Sequence, residues 1–348
     1  MHRFKFFSLG GVGLILLASV LGFQTGRGYH LLRKISLGAA PGGAEYFDYI
    51  TFDAASRRVY LSHGTEVKVL DGDSDALLGN IAGFKRNHGV AIVSELGRGF
   101  VSDGDAGEVV IFDLKTLRTL RHIKTDKDSD SILYDPASKR IFCFEGDPNT
   151  VSVIDPAEGK VVSTLALGGA PEQAVADGKG MIYDNLEDKN EVIAIDSRTL
   201  KITARWPVAP AGQPVSIAMD RQHRRLFIGS RNPSVFVVMD ADTGKLIGAP
   251  VPIGARVDSN VYDPETGLIA CATGDGAIHI FHEDSPDKFS VVETVKTEVG
   301  AKTMGLDPKT HNLLVDTSDF ETPAVGAAKP NSRPVAKPGT FRLLVYGR

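Results

Sequence analysis

The chain has 348 residues, a length that would suit two ordinary domains, with 42% hydrophobic and 24% charged residues, as in a soluble globular protein. Its net charge of −4 is an acidic excess that argues against a general binder of polyanions such as nucleic acid. Thirty-seven glycines supply the tight turns that an all-β chain needs.

Residues 1–22 read as a signal peptide. Arg3 and Lys5 form a basic start, and Phe6 to Gly22 is apolar with no acid. The run is near the lower limit for a membrane span, so a retained anchor is the alternative. Val20 and Gly22 fit the small-residue positions before a cut at Phe23, and no charged stop-transfer flank follows. The expected location is therefore periplasmic or secreted. Loss of Arg3 and Lys5 leaves 37 basic against 43 acidic side chains, a net charge of −6.

From residue 29 onward, one unit recurs about every 42 residues, seven times, which is the signature of a β-propeller. Its clearest copy runs Leu133-Tyr-Asp-Pro-Ala-Ser-Lys-Arg-Ile-Phe-Cys-Phe-Glu, Thr150-Val-Ser-Val-Ile-Asp-Pro and Lys160-Val-Val-Ser-Thr-Leu-Ala-Leu-Gly. A first strand ends in an Asp turn at Asp53, Asp135, Asp220, Asp263 and Asp307, with shorter turns near Ser94 and Asp177. A second strand follows, as in Arg58-Val-Tyr-Leu-Ser. A third ends in Asp at Asp71, Asp113, Asp155, Asp196 and Asp240, and the fourth is the most exposed. Period-two alternation between turn residues predicts strands throughout and no helix. The last unit lacks a fourth strand after Phe341-Arg-Leu-Leu-Val-Tyr. Tyr29-His-Leu-Leu-Arg-Lys-Ile-Ser-Leu is an orphan of the right type, so the two chain ends should pair and close the ring. Residues 29–348 thus form one domain, an all-β seven-bladed propeller. Cys143 and Cys271 fall at matching places in units three and six, far apart on a ring, and read as buried free thiols.

The pattern Asp-Pro-x-x-x-Arg-x-Phe followed by Val-Ser-Val-Ile-Asp resembles the YVTN/YncE-type propeller repeat of exported bacterial proteins. The resemblance covers residues 29 to 346. It implies the fold and export but no activity, because the shared residues are turn and core positions. Surface-layer proteins and nucleic-acid binders are among its associated roles. The sequence departs from the motif: no Tyr-Val-Thr-Asn is intact, and unit six ends its third strand in Phe281-His282 where the others have Asp.

Function should lie where the copies differ, at the loops around one channel mouth. The candidate ligand-binding residues there are His63, His88, Asp48, Asp130, Glu172, Gln173, Asp258, Asn260 and Lys302. Their carboxylates and amides could hold a hard divalent cation. His63 or His88 with an acid, foremost His88 with Asp130, could form a transition-metal or general-base site. They are also the residue types that turns use anyway. His279, His282, His223 and His311 read as strand-face or surface residues. No Gly-x-Ser-x-Gly, His-Glu-x-x-His or Cys-x-x-Cys motif occurs. A Pro-rich insert at 319–340, carrying Lys329, Arg333 and Lys337, breaks the period near the mouth and reads as a lid, a docking arm or a tolerated insertion. The leading expectation is a non-catalytic binding or scaffold protein that takes a protein or small molecule at its mouth, with no certain cofactor. A metal-assisted hydrolase, lactonase or lyase is the alternative. Single-stranded nucleic-acid binding is a third reading, disfavoured by charge and a single tryptophan.

Overall fold

In the computed structural model, which describes residues 1–2, 28–43, 45–321 and 334–348, seven four-stranded antiparallel sheets form the blades of a propeller. The signal segment and the insert tip with Lys329 and Arg333 lie outside the described residues. Among the described residues no helix is long and apolar enough to cross a membrane, and the helical turns are two 3-10 turns at Pro41–Gly43 and Ser94–Leu96.

Six blades are continuous in sequence, with innermost strands Phe47–Asp53, Asn87–Val93, Ser129–Asp135, Pro171–Ala176, Pro214–Asp220 and Val257–Asp263. Blade seven combines Met304–Asp307, Asn312–Thr317 and Phe341–Gly347 with His30–Gly38 as its outer strand. The register runs from His30 opposite Gly347 to Gly38 opposite Phe341, so the chain ends close the ring as expected.

Alternation within the middle strands gives each blade two apolar faces, and the buried side chains sort into seven clusters, one per blade junction. Between blades one and two, Tyr60 packs on Phe112 at 5.8 Å between ring centroids. Gly99 lies beneath the Phe112 ring, where a Cβ would collide with it. Cys143 and Cys271 are buried and free, and burial pushes both thiols well above their ordinary pKa.

The repeated Asp of the first turn has two tasks. It caps its own turn, as Asp53 does by accepting from the Ala55 amide (3.1 Å) and the Ser56 hydroxyl (2.6 Å). At several junctions it also pairs with a basic side chain from the left-handed turn residue of the next blade. Arg57 (φ 56°) reaches Asp307 at 2.5 Å, Arg224 (φ 60°) reaches Asp177 at 2.7 Å, and His311 (φ 58°) reaches Asp263 at 2.7 Å.

Deleting residues 28–38 should lower the thermal midpoint by roughly 10 °C or more and broaden the transition, followed by circular dichroism, because it exposes the Phe341–Gly347 edge and removes Ile35 and Leu37 from the apolar cluster between blades seven and one.

Candidate functional site

Each of the six continuous blades carries an irregularity in the pairing of its innermost strand at the end where that strand begins. In blade one, Phe47 pairs with His63 and Ile50 with Leu61, so Asp48 and Tyr49 together oppose Ser62. Such a bulge bends the strand and re-aims the side chains it carries. The equivalent positions in blades one to four and blade six are Asp48, His88, Asp130, Glu172 and Asp258; Val215 holds the place in blade five and Lys302 in blade seven. Six of seven positions around the mouth are therefore ionisable.

His88 is the centre of one arc. It is 2% exposed, and its Nδ1 donates to Asp48 Oδ2 at 2.8 Å and lies 3.0 Å from Asp130 Oδ1. The Tyr46 hydroxyl donates to the same Asp48 oxygen at 2.5 Å, and Arg86 stacks over the Tyr46 ring at 4.2 Å. Burial works against the imidazolium, but the carboxylates of Asp130 and Asp48 outweigh it and push His88 up to about 10. Asp48 is shifted the other way: its burial is overcome by the hydrogen bond and charge of His88. His88 Nε2 has no partner among the described residues and faces Gly104, where a Cβ would stand 2.8 Å away. Asp48, His88 and Asp130 offer ligand atoms within 4.8 Å of one another, so this arc could hold a metal.

The other arc is built on Asp258, which pairs with both Lys302 and Arg231. Arg231 also donates to the Val257 carbonyl at 3.0 Å. The field of Asp258 raises both cations against burial, and Asp48 adds to it at Lys302. Glu172 lies between the arcs; burial and the nearby acids Asp130 and Glu187 raise its carboxyl well above the usual range. Along the two arcs the carboxylates of Asp48, Asp130 and Asp258 thus stand against His88, Arg231 and Lys302, while burial shifts Glu172 toward its neutral form. A pocket of about 510 Å³ opens between the arcs, lined among others by Asp48, Tyr49, Glu172, Asp258 and Lys302. The base of the insert forms one wall. Phe320 pairs across to Ala336, Lys337 donates its amide to the Asp319 carbonyl at 2.7 Å, and the Phe320 ring sits 6.3 Å from Phe47.

Three of the nine residues selected from sequence sit elsewhere. His63 is fully buried, stacked on Phe341 at 4.0 Å with its Nε2 on Glu45 at 2.8 Å, and burial lowers its pKa. It does not join the His88 cluster. Asn260 donates to the Phe227 carbonyl at 3.1 Å, and the Gln173 side chain accepts from the Ile217 amide at 3.1 Å, so both tie adjacent blades together. Tyr49 was not selected, yet it lines the pocket beside Asp48, where burial and the carboxylates of Asp130, Asp48, Glu172 and Asp258 raise its hydroxyl well above the ordinary value. Simple alternation would turn it away from Asp48; the bulge brings both to the same side.

No protein-family model matches the chain, and no curated protein matches it. Solved structures do. The WD40 repeats of RRP9 superpose with a TM-score of 0.71 at 10% identity, covering 91% of this chain and 96% of that one. U3-55K gives 0.70 at 10% identity, covering 91% and 98%. Hydrazine synthase of Kuenenia stuttgartiensis gives 0.66 at 13% identity, covering 77% and 91%. At these identities the likeness is one of fold alone: this chain is a seven-bladed β-propeller.

The His88 shift has a defined sign. A pKa raised on folding from 6.5 to about 10 contributes stability that is complete below about pH 6.5 and is lost as the pH rises to about 10. Urea unfolding of the parent chain should show its unfolding free energy falling across that window, by up to about a few kcal/mol. His88→Gln should flatten the decline.

Proposed function

We propose that this protein is an exported, YVTN/YncE-type propeller that binds a small polar ligand at its channel mouth without transforming it. The carrying observation is the ring of equivalent positions at the mouth, six of seven ionisable, of which Asp48, Glu172, Asp258 and Lys302 line one pocket together with Arg231, with the bases held by the acids. A charge-compensated, rigid, partly apolar pocket suits a neutral or zwitterionic molecule. Such a ligand can donate to Asp48 and accept from Arg231, both of which line the pocket, without adding net charge to the site. His88 supports a binding role over catalysis, since two carboxylates hold its proton at neutral pH and leave it a poor base. Export rests on the basic-then-apolar start of the sequence, and the family kinship on the repeat residues. The net acidity and the pairing of Lys302 and Arg231 with Asp258 weigh against nucleic acid.

A second reading is favoured by the Asp48–His88–Asp130 cluster, whose ligand atoms could take a divalent cation and turn the mouth into a metal-assisted hydrolase or lyase. Calorimetric titration with zwitterionic amino acids and betaines, neutral sugars and dicarboxylates discriminates the two. The binding reading expects saturable binding of a neutral or zwitterionic compound, recovered unchanged by mass spectrometry. Arg231→Gln should weaken it about tenfold or more, the worth of a hydrogen bond to a charged group. Conversion of the compound, dependent on a stoichiometric cation that His88→Gln removes, would establish the enzyme instead.

A further inference from the structure

The rim opposite the mouth carries a second cluster with a different origin. At the junctions described above, the turn Asp of one blade pairs with a basic side chain from the left-handed turn residue of the next. Between blades five and six that residue is Gly267 (φ 68°), which has no side chain to send to Asp220. Asp220 is nonetheless 2% exposed and carries a carboxylate that caps its own turn through the Gln222 amide at 2.9 Å. A second carboxylate, Glu283, enters the same space from the third strand of blade six, one residue beyond His282, which holds the place where blades one to five have a turn Asp.

Glu283 is more than nine-tenths buried. Its Oε2 accepts from the Tyr262 hydroxyl at 2.7 Å, while Oε1 has no hydrogen-bond partner among the described residues and points at His223, 3.7 Å from Nδ1. His223 Nδ1 is also 2.6 Å from Asp220 Oδ2. Asp220, His223 and Glu283 each offer a ligand atom, and these atoms lie within 4.8 Å of one another. The imidazole, a surface residue as read from sequence, is 38% exposed and provides the open side of the cluster.

We propose that this junction binds a divalent transition-metal ion through Asp220, His223 and Glu283, taking the place that Arg57, Arg224 or His311 fills at other junctions. One imidazole nitrogen with two carboxylate oxygens is a borderline donor set that suits zinc; calcium and magnesium take oxygen ligands throughout. Tyr262 orients the buried carboxylate as an outer partner. The ion ties the Asp220 turn of blade five to the third strand of blade six, so it acts as a clip between blades. It lies at the other end of the innermost strands from the mouth pocket and is independent of what binds there.

The test is titration of the chelator-treated full chain with zinc, counting sites by metal analysis after desalting and following the thermal midpoint. The expected result is a zinc site that raises the midpoint. His223→Gln and Glu283→Gln should each remove one equivalent of zinc and abolish that rise, and Tyr262→Phe should weaken binding by about ten- to a hundredfold. His88→Gln should leave this site intact while removing any zinc held at the mouth. His223 is part exposed, so its variant keeps the test open should Glu283→Gln fail to fold. A parent chain that takes up no zinc, or uptake unchanged in His223→Gln, overturns the proposal.

Discussion

The pairing of the two chain ends is the constraint on which the rest of the molecule depends. Each blade buries its apolar faces only against its neighbours, so seven junctions have to exist together for any of them to be complete. The antiparallel ladder between His30–Gly38 and Phe341–Gly347 supplies the missing strand of blade seven and leaves no open seam. The mouth inherits this dependence directly. Lys302 of blade seven acts on Asp48 of blade one across the closing junction, and the His63 ring of blade one stacks on Phe341 of the closing strand.

Closure also explains how a chain of turn-forming residues builds a concentrated polar site. Seven innermost strands converge on one axis, and six of them are irregular at the same end. A position that recurs about once per blade becomes a ring of neighbours. Acids alone in such a ring would lose hydration, repel each other and titrate upward, as Glu172 does through its burial first and then through Asp130 and Glu187. His88, Lys302 and Arg231 counter that repulsion, each held by at least one carboxylate. The result is a pocket whose charges are fixed by one another before any ligand arrives, which is the preorganisation that a selective polar site requires. The opposite rim uses the same currency of interblade ion pairs. Where the left-handed turn residue is arginine or histidine the pair is built in, and where it is Gly267 the acids Asp220 and Glu283 are left facing a single imidazole.

The sequence by itself determined the strands, the number of blades, the closure by the N-terminal segment and the free buried thiols. These follow from local rules: alternation specifies a strand with two buried faces, Asp and Gly specify turns, and the repeat copies both seven times. It also placed Asp48, His88, Asp130, Glu172, Asp258 and Lys302 at the mouth, because loop position in a repeat is a local property too. Tertiary structure alone decided which of the candidates meet. His63 and His88 occupy neighbouring blades, yet one is stacked in the core and the other is clamped between carboxylates from two other blades. Tyr49 reached the ring through a bulge that breaks the alternation on which sequence reading relies, and Asn260 and Gln173 turned to backbone groups of adjacent blades. Those outcomes depend on distances between residues 33 positions apart or more, and on burial that shifts protonation. Neither quantity exists until the ring has closed.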